Sequence, residues 1–351
     1  MRADVSRRTS EVKVAAPMSR RRFLRQVVVL GASGVMLEWL DPVSRHPTFG
    51  TVQAAAAAPQ AGRGRWVVKA AMPFARTEVS VTGLDGKVYV LGGYAAGRVD
   101  QPFNQVYDPE TDSWRDLAPM PRGLNHVGVV GFNGRIYAFG GFIEQNRNAI
   151  ADANVYDVRE NRWSRIAPLP AKRGATSAVE LDGRLHVIGG RDEFSVGTHE
   201  VYDPATDSWS RRAPLPDGRD HIGVVVLGGR IHAVGGRFNT FANNTHLHQV
   251  YDPAADRWGY RAPLPTPRSG VAAAVLGGRI FVFGGEETGR VFAENEAYDP
   301  TTDRWTAMAP MPTPRHGTGA VTVGEAIYIP GGGLTVGGSA PSNVNEAFTL
   351  G

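Results

Sequence analysis

The chain has 351 residues, with 43 glycines, 24 prolines and no cysteine; that length holds two or three average domains or one large all-β domain, and its glycine and proline content marks many turns and few long helices. The lack of cysteine excludes disulfides, thiolate metal sites and cysteine nucleophiles. The formal net charge is +4, but residues 1–56 carry nine basic against four acidic side chains, which leaves a nearly neutral body with 29 basic and 30 acidic residues and no support for a nucleic-acid partner.

The stretch Ser19-Arg20-Arg21-Arg22-Phe23-Leu24-Arg25, the apolar run from Val27 to Leu37 and the alanines from Ala54 to Ala58 resemble a twin-arginine export signal with its h-region and cleavage zone. Glu38 and Asp41 interrupt the apolar run well short of the roughly 20 residues of a spanning helix, so the mature protein is expected to have no stable membrane span. Residues 1–58 are therefore expected to be signal and linker. Residues 59–351 are expected to form one domain that works in the periplasm or outside the cell.

Beyond the leader, one unit recurs. Trp114, Trp163, Trp209, Trp258 and Trp305 are spaced by 49, 46, 49 and 47 residues, Trp66 lies 48 before the first, and each of the five closes a segment such as VYDPETDSW or AYDPTTDRW. Within a unit the order is A-P-(Met/Leu)-P, an apolar segment of small residues, a glycine-containing turn, an apolar strand ending in Gly-Gly, a variable loop and the Tyr-Asp-Pro segment. Asp85-Gly86, Asn133-Gly134, Asp182-Gly183, Gly228-Gly229 and Gly277-Gly278 predict two-residue hairpin turns. Each unit thus reads as four short strands. A lone four-stranded sheet leaves open edges and an uncovered face, so the units must stack, and a closed ring removes the ends.

The double glycines at Gly92-Gly93, Gly140-Gly141, Gly189-Gly190, Gly235-Gly236, Gly284-Gly285 and Gly331-Gly332, each followed in phase by Tyr (Phe348 in the last unit) and then, except in that unit, Trp, resemble kelch repeats. That resemblance implies an all-β, six-bladed kelch-type β-propeller with four antiparallel strands per blade. The last unit lacks its Trp strand, and the segment around Trp66 supplies one from the other end, closing the ring.

Strand parity places the A-P-x-P loops and the loops after Gly-Gly on one face, and the short turns on the other. The third residue after each A-P-x-P segment is Arg76, Leu124, Arg173, Arg219, Arg268 or Arg315, a scaffold position for which Glu200, Glu296 and Glu346 are expected partners. Two residues on, the units diverge to Glu78, His126, Ala175, His221, Gly270 and Gly317. Glu78, His126 and His221 are candidate acid–base groups or metal ligands at a channel mouth. Tyr94, Asn125, Arg191, Asp220, Arg237, Glu286 and His316 surround them as candidate ligand-binding residues, with Arg191 and Arg237 suited to a carboxylate. The plainest expectation is a polar rim facing water. His199 and His248 fall where other units have Asn104, Asn295 and Asn345, and His246-x-His248 resembles a metal clip only superficially.

The leading functional expectation is a binding module for a protein segment or a carbohydrate on the variable face, with no cofactor. The alternative is a sugar-acid epimerase or mutarotase, since periplasmic sialic-acid epimerases are similar in export and six-bladed kelch architecture. The compact loops, with few insertions to close over a substrate, weigh against it. A copper-radical oxidase like galactose oxidase is excluded by the lack of cysteine for a Tyr-Cys cofactor.

Overall fold

The computed structural model describes residues 62–351; the signal-like stretch at 19–25 and the linker to residue 58 lie outside the described residues. All ten residues of the five predicted turns have φ between 48° and 74°. That left-handed geometry matches the twist of the strands it joins, and it brings Leu84 opposite Lys87 and Phe132 opposite Arg135.

The hairpins extend into six four-stranded antiparallel sheets. The first comprises Ser80–Leu84, Lys87–Leu91, Asn104–Asp108 and Ser113–Asp116; the second, third, fourth and fifth repeat this order along the chain. The sixth joins Val321–Val323, Ala326–Pro330 and Asn345–Thr349 to the N-terminal strand Arg65–Val68, with Arg65 opposite Thr349 and Trp66 opposite Phe348. The ring is therefore closed by strand pairing between the two ends of the described chain.

The repeated YDPETDSW segment clamps one blade to the previous one. Each Trp ring leans on its blade's Tyr or Phe, with centroids 5.1 to 5.3 Å apart in all six blades. Trp114 Nε1 donates to the Ala70 carbonyl at 2.8 Å, and the Ala70 amide donates to Asp112 at 2.9 Å. The Tyr107 hydroxyl donates to the same Asp112 oxygen. Trp209, Tyr202 and Asp207 grip Ala167 in the same way. At the seam Trp66 keeps its bond to the Ala309 carbonyl, while the Arg63 carbonyl replaces the Asp as acceptor for the Ala309 amide. Burial of each aromatic stabilises the ring by up to several kcal/mol at about 25 cal/mol/Å².

The repeated arginines lock the Gly-Gly corners. Arg76, Arg219, Arg268 and Arg315 donate to the carbonyls of Gly92, Gly235, Gly284 and Gly331. Arg173, Arg268 and Arg315 pair with Glu200, Glu296 and Glu346 as expected from the sequence. Arg76 and Arg219 use the neutral Gln105 and Gln249 at the equivalent place. The small-residue strands line a central channel of about 180 Å³, walled by residues such as Ser80, Val129, Ala178, Gly223 and Ala273.

Candidate functional site

At the loop end of the channel the six divergent positions share one backbone conformation. Glu78, His126, Ala175, His221, Gly270 and Gly317 all have φ between 51° and 64°. Their backbones form a closed belt: the amides of His126, Ala175, His221, Gly270 and Gly317 each donate to the carbonyl of the preceding member, and Val79 N donates to Gly317 O. Four of the six are not glycine, and each such left-handed residue costs about 1 kcal/mol. The belt hydrogen bonds offset that strain. They also aim the side chains at the axis.

Three large side chains share the space left by three small ones. Ala175 separates His126 from His221 in the belt, and the two imidazoles meet edge to face at 4.8 Å. A Cβ added at Gly317 would fall 2.6 Å from the Glu78 carboxyl group, and one at Gly333 would fall 2.4 Å from the His316 ring. Those glycines make room for both groups.

The hydrogen-bond network fixes the imidazole orientations. Asn125 Nδ2 donates to Asp100 Oδ1, Phe142 O and Gln145 O. Its Oδ1 is thereby left to accept from Tyr94 and from His126 Nδ1. His126 Nε2 then faces Glu78 Oε2 at 3.0 Å. His221 directs Nδ1 to Asp220, and its Nε2 accepts from Arg237 Nη2 at 2.7 Å. His316 donates from Nδ1 to Gly333 O at 3.1 Å, which turns Nε2 toward Glu78 Oε1 at 3.4 Å and Glu286 Oε2 at 3.3 Å. All three histidines are thus anchored at Nδ1 and present Nε2 inward.

The electrostatics follow from that arrangement. Burial acts to raise the Glu78 carboxyl, but its contacts with His126 and His316 outweigh burial and hold it well below the usual carboxylate range. Burial acts to lower His316, and Glu78, Glu286 and the Gly333 carbonyl outweigh it, so His316 is raised. Burial and the Arg237 charge lower His221 to about 4. A neutral His221 has the lone pair that Arg237 requires.

Tyr94, Asn125, Asp220, His221, Arg237, Glu286 and His316 are all buried, so the expected water-facing rim is instead a packed plug. The reason is that the short loops after Gly-Gly join one another. Glu144 N donates to Asp100, Arg191 to Asn146 O, Ser195 N to Asn239, Asn244 to Glu286 O, and Gly337 N to Glu286 Oε2. No single long insertion is needed to cover the mouth. Beneath the loops lies a chamber of about 70 Å³ lined by Glu78, Tyr94, His126, Arg237, Glu286 and loop residues.

The two arginines suggested for a carboxylate do not converge on free space. Arg237 is committed to Asp220, Glu286 and His221, whereas the Arg191 guanidinium lies 5.1 Å over the Phe142 ring. His199 and His248 donate to the Ala213 and Ala262 carbonyls, as Asn104 and Asn295 do to Ala118 and Ala309. Their Nε2 atoms meet His186 and His232, two residues the sequence reading did not single out. His246 is exposed while His248 is buried, so the pair forms no clip.

A kelch-repeats domain model, described as KLHDC2/KLHL20/DRC7, matches residues 63–236 and 176–350. The chain belongs to the kelch-repeat family. Among solved structures, this kelch propeller is similar to the one titled "Structure of YjhT", with a TM-score of 0.67, 16% identity, and coverage of 79% of this chain and 96% of that one. That likeness is one of fold. No curated protein matched.

Proposed function

We propose that this kelch propeller is an exported interaction module that holds a protein segment against its loop face. The observation that carries this reading is the distribution of exposed apolar side chains. Of the eight large apolar side chains exposed among the described residues, Phe74, Val99, Phe194, Phe238 and Leu334 sit in the A-P-x-P or post-Gly-Gly loops, and Val67, Val68 and Tyr260 lie on outer strands. Apolar anchors set among charged and amide groups are what a protein segment can bury. The mouth beneath them is filled by buried side chains joined in a hydrogen-bond network.

The size of the chamber weighs against a sugar held at Glu78 beneath the loops. Its volume of about 70 Å³ is well below the roughly 300 Å³ or more of small-molecule pockets. A sugar acid approaching from the loop face would need the interlocked loops to part. The proposal of export rests on the twin-arginine-like stretch at 19–25. No helix among the described residues is long and apolar enough to cross a membrane.

Site-specific photocrosslinking in the exporting cell tests both parts. A photoreactive residue at Phe194, Phe238 or Leu334 is expected to capture one protein outside the cytoplasm, whereas one at Tyr260, exposed on an outer strand, captures none. Equal capture from both places, or a melting-temperature rise with sugar acids and no protein capture, overturns the reading. Arg20→Lys with Arg21→Lys should strand the precursor in the cytoplasm.

A further inference from the structure

We infer that Glu78, Glu286 and His316 hold one divalent transition-metal ion at the top of the channel. His316 is fully buried, its Nδ1 is satisfied by Gly333 O, and its Nε2 has no hydrogen-bond partner. That orphaned nitrogen points between Glu78 Oε1 at 3.4 Å and Glu286 Oε2 at 3.3 Å. A charge-assisted hydrogen bond would be about 2.7–2.9 Å long. Ligand atoms around a tetrahedral ion with bonds of about 2.0–2.2 Å lie about 3.3–3.6 Å apart. The two distances from His316 Nε2 have that spacing, and one ligand atom from each of the three residues lies within 4.8 Å of the others.

Each ligand is held from behind, as metal ligands are. Glu78 keeps its other oxygen on His126, Glu286 keeps Oε1 on Arg237 and takes the Gly337 amide on Oε2, and the Glu286 carbonyl is bound by Asn244. Glu78, Asp220 and Glu286 bring three carboxylates together with one buried guanidinium, Arg237. A divalent ion in place of a proton on His316 balances this charge. Glu78 and Glu286 also line the 70 Å³ chamber, which has room for water to complete the coordination.

Glu78, His126 and His221 also bring ligand atoms within 4.8 Å of one another. That second group is blocked because His221 Nε2 already accepts from Arg237. One imidazole with two carboxylates suits zinc or manganese better than magnesium or calcium, which favour all-oxygen shells. The ion would tie the first blade to the fifth and sixth, across the seam where the ring closes. This inference does not depend on the protein-binding reading.

The test uses the mature protein, first stripped with chelator and then titrated with zinc chloride and manganese chloride by calorimetry. The expected result is one ion per chain and a higher melting temperature for the loaded form. His316→Gln and Glu286→Gln should each weaken binding by about 100-fold, a loss at or beyond that of removing a supporting group. His246→Ala, which alters an exposed histidine, should bind like the parent. Circular dichroism reports whether each variant is folded. Should the Gln variants fail to fold, Gly317→Ala, which pushes on the Glu78 carboxyl, is expected to cost at least 10-fold in affinity. Absence of stoichiometric binding of either ion, or parent-like binding by the folded variants, overturns the assignment.

Discussion

The structure holds two sets of buried histidines, and they differ in what their inward nitrogen meets. In the third and fourth blades His199 and His248 donate to a carbonyl just after their own blade's outer strand and accept from His186 and His232. Burial dominates there and lowers all four, to about 3 for His186 and His248 and about 4 for His199 and His232. At the mouth His126 and His316 turn Nε2 toward carboxylates, and His316 is raised. One set is neutral scaffold that replaces Asn104 and Asn295. The other sits among charges that need a cation.

Acid should break this comparison with the largest effect. The four scaffold histidines have folded values near 3 to 4 against about 6.5 when unfolded. Below pH 6.5 the unfolded chain therefore binds protons that the folded chain refuses. Stability should fall as pH drops toward 4, by about 1.4 kcal/mol per histidine per pH unit. In the metal-free protein His316 has the opposite sign: its contribution is present below about pH 6.5 and is lost as pH rises through its raised folded value. Urea denaturation across pH 4–8 measures the slope, and a pH-independent midpoint would contradict the neutral-pair assignment.

His199→Ala should cost about 2–4 kcal/mol, because it opens a cavity and strands His186 Nδ1, while the Ala213 carbonyl keeps its bond from Trp258 Nε1. The double variant His186→Phe with His199→Asn copies Phe281 and Asn295 of the fifth blade. It should recover most of that loss and roughly halve the acid slope, since His232 and His248 remain; denaturation midpoints of the single and double variants decide this. At the mouth, Gly317→Ala should cost about 1–3 kcal/mol through its contact with Glu78 and its φ of +59°. Phe194→Ser should change stability by less than about 0.5 kcal/mol while lowering partner capture, since its side chain is 68% exposed.

The repeat made the frame legible. In-phase Trp, Tyr and Gly-Gly gave six blades, and the orphan Trp66 segment gave the seam. Equivalent positions gave the pairing of Arg173 with Glu200 and the substitution of His199 for Asn104. The mouth was legible only as the place where the repeat breaks. That Glu78 meets His316 across the seam, and that Gly317 and Gly333 leave space for them, depends on distances across the ring that no spacing along the chain carries. The packed state of the plug likewise depends on bonds between loops of different blades, such as Asn244 to Glu286. Asp112 looked like part of an acidic turn, and its grip on Ala70 emerges only when two blades are adjacent.

The belt of six left-handed residues makes the channel mouth a set of interchangeable sockets. Because each position is defined by its backbone bond to the previous blade, a side chain can be replaced at one socket without altering the backbone geometry of the others. Ala175 and Gly270 are then blank sockets at the third and fifth blades, and histidine or glutamate placed there would be delivered to the same axis by a framework that already supports His126, His221 and Glu78 in that conformation.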